Sequence, residues 1–473
     1  MFYVNEKTVD ICLEDEYLTI VNEHNQLLVS VERRHLLQVK KENKSLLIHY
    51  VIKKKNNTLK MKTIQIQTGS EEELQILYDE IQSKISGRPK RILVFINPNS
   101  GKKKGIKIYQ KCAAPLFQLC DIKADVIVTS KQKEPTEILR KYNLSQLDGI
   151  VTVGGDGLYC ECMNGLVSRV QRDNNVDLHS HHSDITRTSI PIGIIPAGSG
   201  DVIVQYLHGT RCARTAVLHI LLGNQVNSNI LSVHEGGKLL SYSALILGFG
   251  LFGDMMYECE KFRWMGPSRY NFIPLGCMLK RREFDVEIEY YPSKTTNKYQ
   301  KKTHVFGRQI SLPNGFFSHT TTSRKQRTKS TADLRNSEQE TEDCQKEQGR
   351  AYAVDSHAIM IKEQEGKMTP RFGQQSLMVY TTYKCALSDH IAQLTKVKNE
   401  KPDCYDYKFV SKHEVSAYRV RLLNATVSTA GNKSILQKDY YINCDGEVIR
   451  LKEPMFDVKL HRKAVRFFGD ISN

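Results

Sequence analysis

Three apolar runs, each passing directly into a glycine-rich loop, constrain this 473-residue chain more than any other feature. RILVFIN (91–97) leads through Asn97-Pro98-Asn99-Ser100-Gly101 to Lys102, GIVTV (149–153) into Gly154-Gly155-Asp156-Gly157, and GIIP (193–196) into Ala197-Gly198-Ser199-Gly200-Asp201. A fourth run, ADVIVT (124–129), has no such loop. Uninterrupted apolar runs separated by helical segments predict a parallel sheet buried on both faces, so residues 89–230 read as an α/β domain. Ligands sit at the carboxyl ends of strands in such sheets, and glycine lets the backbone come close to a phosphate.

A single loop of this kind is most simply a tight turn. Three in one domain point to a polyphosphate site. None of the three loops carries GxxxxGK[ST] or GxGxxG, so none of them is a Walker loop or a dinucleotide fingerprint. Asp156, flanked by glycines at the mouth of a buried strand, suits a proton acceptor for an attacking hydroxyl or a holder of metal-bound water. Its structural alternative is a cap on the helix that follows. Glu161 lies one turn beyond Gly157 in the segment Leu158–Leu166, facing either the same crevice or solvent.

Residues 1–88 contain short strands (YLTIVN, QLLVSVE, KSLLIHYVIKK, KTIQIQT) and an amphipathic helix over Ser70–Ile85, a pattern that predicts a small pleckstrin-homology-like (PH-like) module. After Ile230 the alternating runs return (LLSYSALILGFG, FDVEIEYY, SLMVYTTY, SAYRVRLL, FDVKLH), so residues 231–473 read as a mostly antiparallel β-rich second domain. A polar stretch over about 314–350 has little to bury and reads as a disordered insertion.

The net charge of +16 calls for an acidic partner, and nucleic acid, anionic lipid and nucleotide phosphate all qualify. Basic runs stand at Lys53–Lys55 and Lys102–Lys104, without zinc-finger spacing or an aromatic-basic RNA pattern. No apolar run approaches the ~18 residues of a spanning helix, and the start has no secretory order, so the expectation is a cytoplasmic chain peripheral to membranes. Twelve cysteines without a CxxC pair read as reduced thiols. His179, His181 and His182 fall in a polar loop and are read as surface residues rather than metal ligands.

The order and spacing of KRILVFINPNSGKKKG, APLFQL, ADVIVT, LDGIVTVGGDG and IGIIPAGSGD resemble the catalytic domain of the ceramide kinase family, within the diacylglycerol kinase and sphingosine kinase superfamily. VLHILLGN, LGFGLFGDMMYECEKFRWMGPSRYNF and Cys444-Asp445-Gly446-Glu447 extend the resemblance into the second domain. It implies phosphorylation of the primary hydroxyl of ceramide or a related sphingolipid by ATP with Mg2+, at an anionic membrane surface and with no nucleic acid partner. Asp156 matches the catalytic aspartate. Asn97, Pro98, Asn99, Ser100, Gly101, Thr129, Gly154, Gly155, Gly157, Glu161, Gly198, Ser199 and Gly200 match positions that hold ATP. Arg263 and Arg269 match arginines that clamp phosphate, and Asp445, Gly446 and Glu447 match a segment that closes the nucleotide site. Gly154–Gly157 with Asp254 match contacts to the lipid, and residues 1–88 stand where the family has its pleckstrin-homology domain.

The chain departs from the family pattern in three places. Gly198-Ser199-Gly200-Asp201 has the sphingosine kinase form rather than Gly-Ser-Thr-Asp. The family's cysteine cluster is missing. Phe372-Gly373-Gln374-Gln375-Ser376-Leu377 replaces an Asp-Gly-x-x-Asp-Leu turn that helps organise a metal site. A kinase acting on sphingosine or diacylglycerol, and a weakened relative that binds lipid without phosphorylating it, therefore remain as alternatives.

Overall fold

The computed structural model describes residues 1–85, 87–178, 184–293, 344–364, 367–399, 401–430 and 433–470. The three histidines at 179–182 and the stretch 314–343 lie outside this set. The rest of the expected insertion does not read as disorder: a strand begins at Gln345 and runs to His357. Its polar first half is held by pairing with the strand Phe284–Pro292 (Val286 opposite Gly349, Tyr290 opposite Gln345), so backbone partners replace the apolar signal the sequence lacks.

Residues 2–68 form a seven-stranded antiparallel sheet in which the first strand, Phe2–Val4, pairs with both Lys7–Leu13 and Leu59–Thr68. The helix Glu71–Lys84 closes it. Ser70 caps that helix by accepting the Glu73 amide, three glutamates occupy its first turn, and Leu74, Leu77 and Ile81 point into the sheet. Burying these three side chains stabilises the module by about 1.5–3 kcal/mol each. The module is docked on the next domain: Leu37, Val51 and Leu59 share one apolar cluster with Val94, Val217 and Leu221, and Thr215 Oγ1 accepts the Leu59 amide.

The four apolar runs form parallel strands ordered Lys123–Val128, Arg91–Ile96, Gly149–Gly154 and Ile192–Pro196. The chain leaves Ile96 toward one side of the sheet and Gly154 toward the other, so the switch point of the topology lies between these two carboxyl ends. Both faces are covered, one by Phe117, Val217 and Leu218, the other by Leu158, Tyr159 and Leu166.

Two boundaries differ from the sequence reading. The division expected between residues 230 and 231 falls inside one strand, Gln225–Glu235, whose residues from Ser228 onward are all buried, so no turn signal separates the domains. The two domains also share a sheet. Fourteen strands among the described residues form one mixed sheet, because Met455–Phe468 pairs antiparallel with Val410–Leu422 and Gln225–Glu235 and, at Phe467, parallel with Ile192. The run LLSYSALILGFG divides into Lys238–Ser243 and Ile246–Gly250 around a turn at Ala244–Leu245.

Candidate functional site

The three glycine loops meet at the switch point. A Cβ on Gly101 would lie 2.6 Å from the Ala197 carbonyl oxygen, one on Gly154 would lie 3.2 Å from Ser100 Oγ, and one on Gly198 would lie 2.5 Å from Gly155 Cα. Glycine is thus required by loop-on-loop contact, and Gly101 also has a positive φ of 51°. Hydrogen bonds tie the loops to the strand ends: Asn97 N donates to Val153 O, Ala197 N to Gly154 O, and Asn99 N to Asn97 Oδ1. Pro98 lies between these anchored asparagines, and Ser199 and Gly200 are exposed at the rim. Thr129 is buried, its hydroxyl donating to Ile96 O.

Asp156 is the first residue of the helix Asp156–Asp173, yet its carboxylate reaches across to another helix. Oδ2 accepts the Val202 amide and Oδ1 the Ile203 amide, both at 3.0 Å, so it caps the helix Val202–His208 rather than its own. Asp201, in the left-handed region with φ 51°, turns back so that its Oδ1 accepts the Gly198 amide. Burial pushes the Asp201 carboxyl above its ordinary range; the Gly198 amide opposes the shift, and the Asp156 charge adds to it. The two carboxylates fold the third loop against the second. Sequence reading assigned Asp201 no role because its work is done on the backbone of its own loop.

The helix Asp156–Asp173 then carries contacts to the second lobe on successive turns. Cys160 donates to Asp445 Oδ2. Glu161 accepts the Lys133 amide and is pushed up to about 7, chiefly by burial and next by the charge of Glu447. Asn164 donates to Tyr242 O and accepts the Tyr242 amide, completing the free edge of the strand Lys238–Ser243. A cleft of about 560 Å3 opens along this seam, lined among others by Lys133, Glu161, Asn164, Tyr242 and Glu447. Asn164 and Lys133 were missed in the sequence. An asparagine that imitates a strand edge carries no local signal, and Lys133 matters through its left-handed backbone (φ 62°).

Asp445 and Gly446 form the two-residue turn of the hairpin Tyr441–Cys444/Glu447–Arg450, with φ of 53° and 90°. The Asp445 carboxyl turns inward and accepts from Ser243 Oγ and from the amides of Ala244, Leu245 and Ile246. These bonds make Asp445 a brace, and the residue it presents to the cleft is Glu447. Asp254 stands on the helix Leu251–Lys261, paired with Arg282 at 3.4 Å, and burial pushes it up to about 6. That helix lies directly on the hairpin: a Cβ on Gly253 would lie 2.0 Å from Tyr441 O, and Tyr257 stacks on Tyr441. Arg269 opens the helix Arg269–Lys280 beside Cys259; the Arg263 side chain lies outside the described residues.

Among the described residues no group of three or more His, Cys, Asp or Glu side chains forms a metal cage. At Phe372–Leu377 the chain is held by backbone, with Asn229 Nδ2 donating to Gln374 O and Gly373 at φ 67°.

The diacylglycerol kinase catalytic domain family matches residues 91–233. The chain is similar to ceramide kinase from Homo sapiens, 41% identical over 217 residues that cover 46% of this chain and 40% of the relative. Ceramide kinase from Mus musculus is 31% identical over 428 residues, covering 84% of this chain and 77% of the relative. Sphingosine kinase 2 from Arabidopsis thaliana is 35% identical over 211 residues, 44% of this chain and 41% of its own length. The match thus spans less than half of the human and plant relatives.

Proposed function

We propose that this chain, which belongs to the ceramide kinase family within the diacylglycerol kinase and sphingosine kinase superfamily, transfers the γ-phosphoryl group of ATP to the primary hydroxyl of a ceramide-type sphingolipid. The observation that carries the reading is the mutual contact of three glycine loops around Asp156 at a topological switch point. Asn97–Gly101, Gly154–Gly157 and Gly198–Gly200 would receive the phosphates, with Thr129, Glu161, Gly446 and Glu447 around the cleft and Arg263 and Arg269 on the second-lobe side. Asp254 and the Gly154–Gly157 loop would meet the acceptor.

In the reaction the lipid oxygen forms a bond to the γ-phosphorus, the bond from that phosphorus to the β,γ-bridging oxygen breaks, and the hydroxyl proton passes to Asp156. Two backbone amides fix the direction of the Asp156 carboxylate, while each oxygen keeps a lone pair for the proton. Proton removal of this kind contributes ~10²–10⁴-fold, and positioning with charge neutralisation supplies most of the rest. Magnesium is usually held by one or two carboxylates, with phosphate and water filling its shell. Asp156 and Asp201 are the carboxylates at the loops that fit that role; the ion would neutralise phosphate charge.

The N-terminal sheet and capping helix support a pleckstrin-homology-like module, and the excess of 68 Lys and Arg over 52 Asp and Glu supports an anionic membrane surface as the place of work. No helix among the described residues is long and apolar enough to cross a membrane, and the reading is of a cytoplasmic protein acting peripherally.

The test is phosphoryl transfer to short-chain ceramide, sphingosine and diacylglycerol in mixed micelles with ATP and Mg2+, for the wild type and Asp156→Asn. We expect ceramide to be preferred and the variant to lose at least ~100-fold in kcat. Lipid binding without turnover in the wild type would establish the non-catalytic alternative. Equal kcat in the two proteins would remove Asp156 as the base.

A further inference from the structure

In the strand Gln345–His357, Val354 and Ser356 face the sealed core of the second lobe, whereas Ala353, Asp355 and His357 face the opposite side. Gly248 and Tyr380 lie directly across from Asp355 on the two neighbouring strands. Helices cover this face, with Leu251, Phe252 and Cys277 packed on Ala353 and Gln393 donating to Thr382 in the next row. Asp355 is 1% exposed, and among the described residues neither of its carboxyl oxygens has a hydrogen-bond partner. The buried Nε2 of His357, one position along the same face, also lacks one.

Buried polar groups without partners are few in folded proteins, and each calls for a reason. The surroundings of Asp355 suggest one. The residue opposite is glycine, and a Cβ there would lie 2.8 Å from Asp355 Oδ1 and 2.9 Å from Phe252 Cβ, so any side chain at 248 would crowd the carboxyl. Phe252 lies over Gly248 on one side of the carboxyl and Tyr405 stacks on Tyr380 on the other, and two residues after Phe252 the same helix carries Asp254, the expected lipid contact. Burial pushes the Asp355 carboxyl well above its ordinary range, a shift toward the neutral acid, which can both donate and accept.

We propose that Asp355 determines acceptor specificity by taking a hydrogen bond from the N–H of an amide-linked lipid, once the Phe252 ring leaves Gly248. This deepens the ceramide reading and rests on it. The ester oxygens of a diacylglycerol can take the acid's O–H but offer no donor to its carbonyl oxygen, which stays unfilled. The ammonium of sphingosine would favour an ionised acid at a site where burial disfavours charge. A neutral amide N–H satisfies the carboxyl with no change of charge.

The experiment compares Asp355→Leu and Asp355→Asn with the wild type, using the full chain, for KM and kcat on short-chain ceramide, sphingosine and diacylglycerol. Thermal midpoints and equilibrium binding of short-chain ceramide without ATP are measured on the same proteins. Asp355→Leu is expected to raise the ceramide KM about tenfold, the worth of one buried hydrogen bond, and to leave diacylglycerol within about twofold. Its melting temperature should match or exceed the wild type, because a group without a partner is removed. Asp355→Asn keeps a carbonyl acceptor and should stay within about threefold on ceramide. Unchanged ceramide KM in the leucine variant, equal losses on all three lipids, a selective rise for sphingosine, or a leucine variant that unfolds would each overturn the proposal. If the wild type phosphorylates no lipid, the kinase reading fails, while the ceramide-binding comparison still decides the role of Asp355.

Discussion

Replacing Gly198 by alanine tests whether loop-on-loop contact sets the catalytic geometry. The added methyl would lie 2.5 Å from Gly155 Cα and 2.7 Å from Asp201 Oδ1, where ordinary contact begins at 3.4 Å. One of the two backbones therefore has to retreat by about 0.9 Å. Either retreat disturbs Asp156, which follows Gly155 directly and is bonded to the amides just after Asp201. A misplacement near 1 Å costs on the order of 100-fold in rate, and overpacking of this size costs about 1–3 kcal/mol in stability. The reverse substitution pair supplies a scale: a methyl on Gly155 lies 3.1 Å from Gly198 Cα, so Gly155→Ala should lose less than Gly198→Ala. Gly69→Ala, where a methyl meets nothing within 4 Å, serves as the control. Steady-state kcat on ceramide and urea midpoints on the same preparations provide the readout. Wild-type kcat in Gly198→Ala, or a larger loss in Gly155→Ala, would refute the reasoning.

Three further perturbations follow from the seam between the lobes. Glu161 has a folded pKa of about 7 against an ordinary 4.5, so its contribution to stability is full below pH 4.5 and is lost as pH rises through 7; nucleotide-free Glu161→Gln should flatten that part of the urea-midpoint profile. Asn164→Leu removes the side-chain partner of the Tyr242 amide, while the Tyr242 carbonyl keeps Ser241 Oγ and Cys444 Sγ as donors, and should cost roughly 1–3 kcal/mol in denaturant titration. Gly446→Val places a β-branched residue at φ 90° and should lower the thermal midpoint, with a rise in the ATP KM if Glu447 shifts with the turn.

Sequence legibility tracked the range of the interactions. RILVFIN, GIVTV and GIIP announced themselves because burial on both faces leaves no polar alternation, and each lies where the reading put it. The helix after Ser70 was legible to its cap. Gln345–Arg350 was not, since that part of the strand is specified by the partner strand Phe284–Pro292. The boundary after Ile230 failed for a related reason, because Gln225–Glu235 takes its register from residues more than 200 positions away. At the site, Asp156 stood out by its glycine neighbours, whereas Asp201, Asn164 and Asp445 act on backbone groups that only the folded chain brings within reach.

The strand Met455–Phe468 sets the timing of assembly. Ile192 waits for Phe467 across ~275 positions, and the Phe468 ring packs where a Cβ on Gly149 would fall, at the foot of the nucleotide-side sheet. A nascent chain therefore exposes an unpaired apolar edge until the strand Met455–Phe468 has left the ribosome, a regime in which folding is slow and chaperone demand is high. A stop codon or mis-spliced exon upstream of 455 yields a sticky fragment in place of a smaller working enzyme.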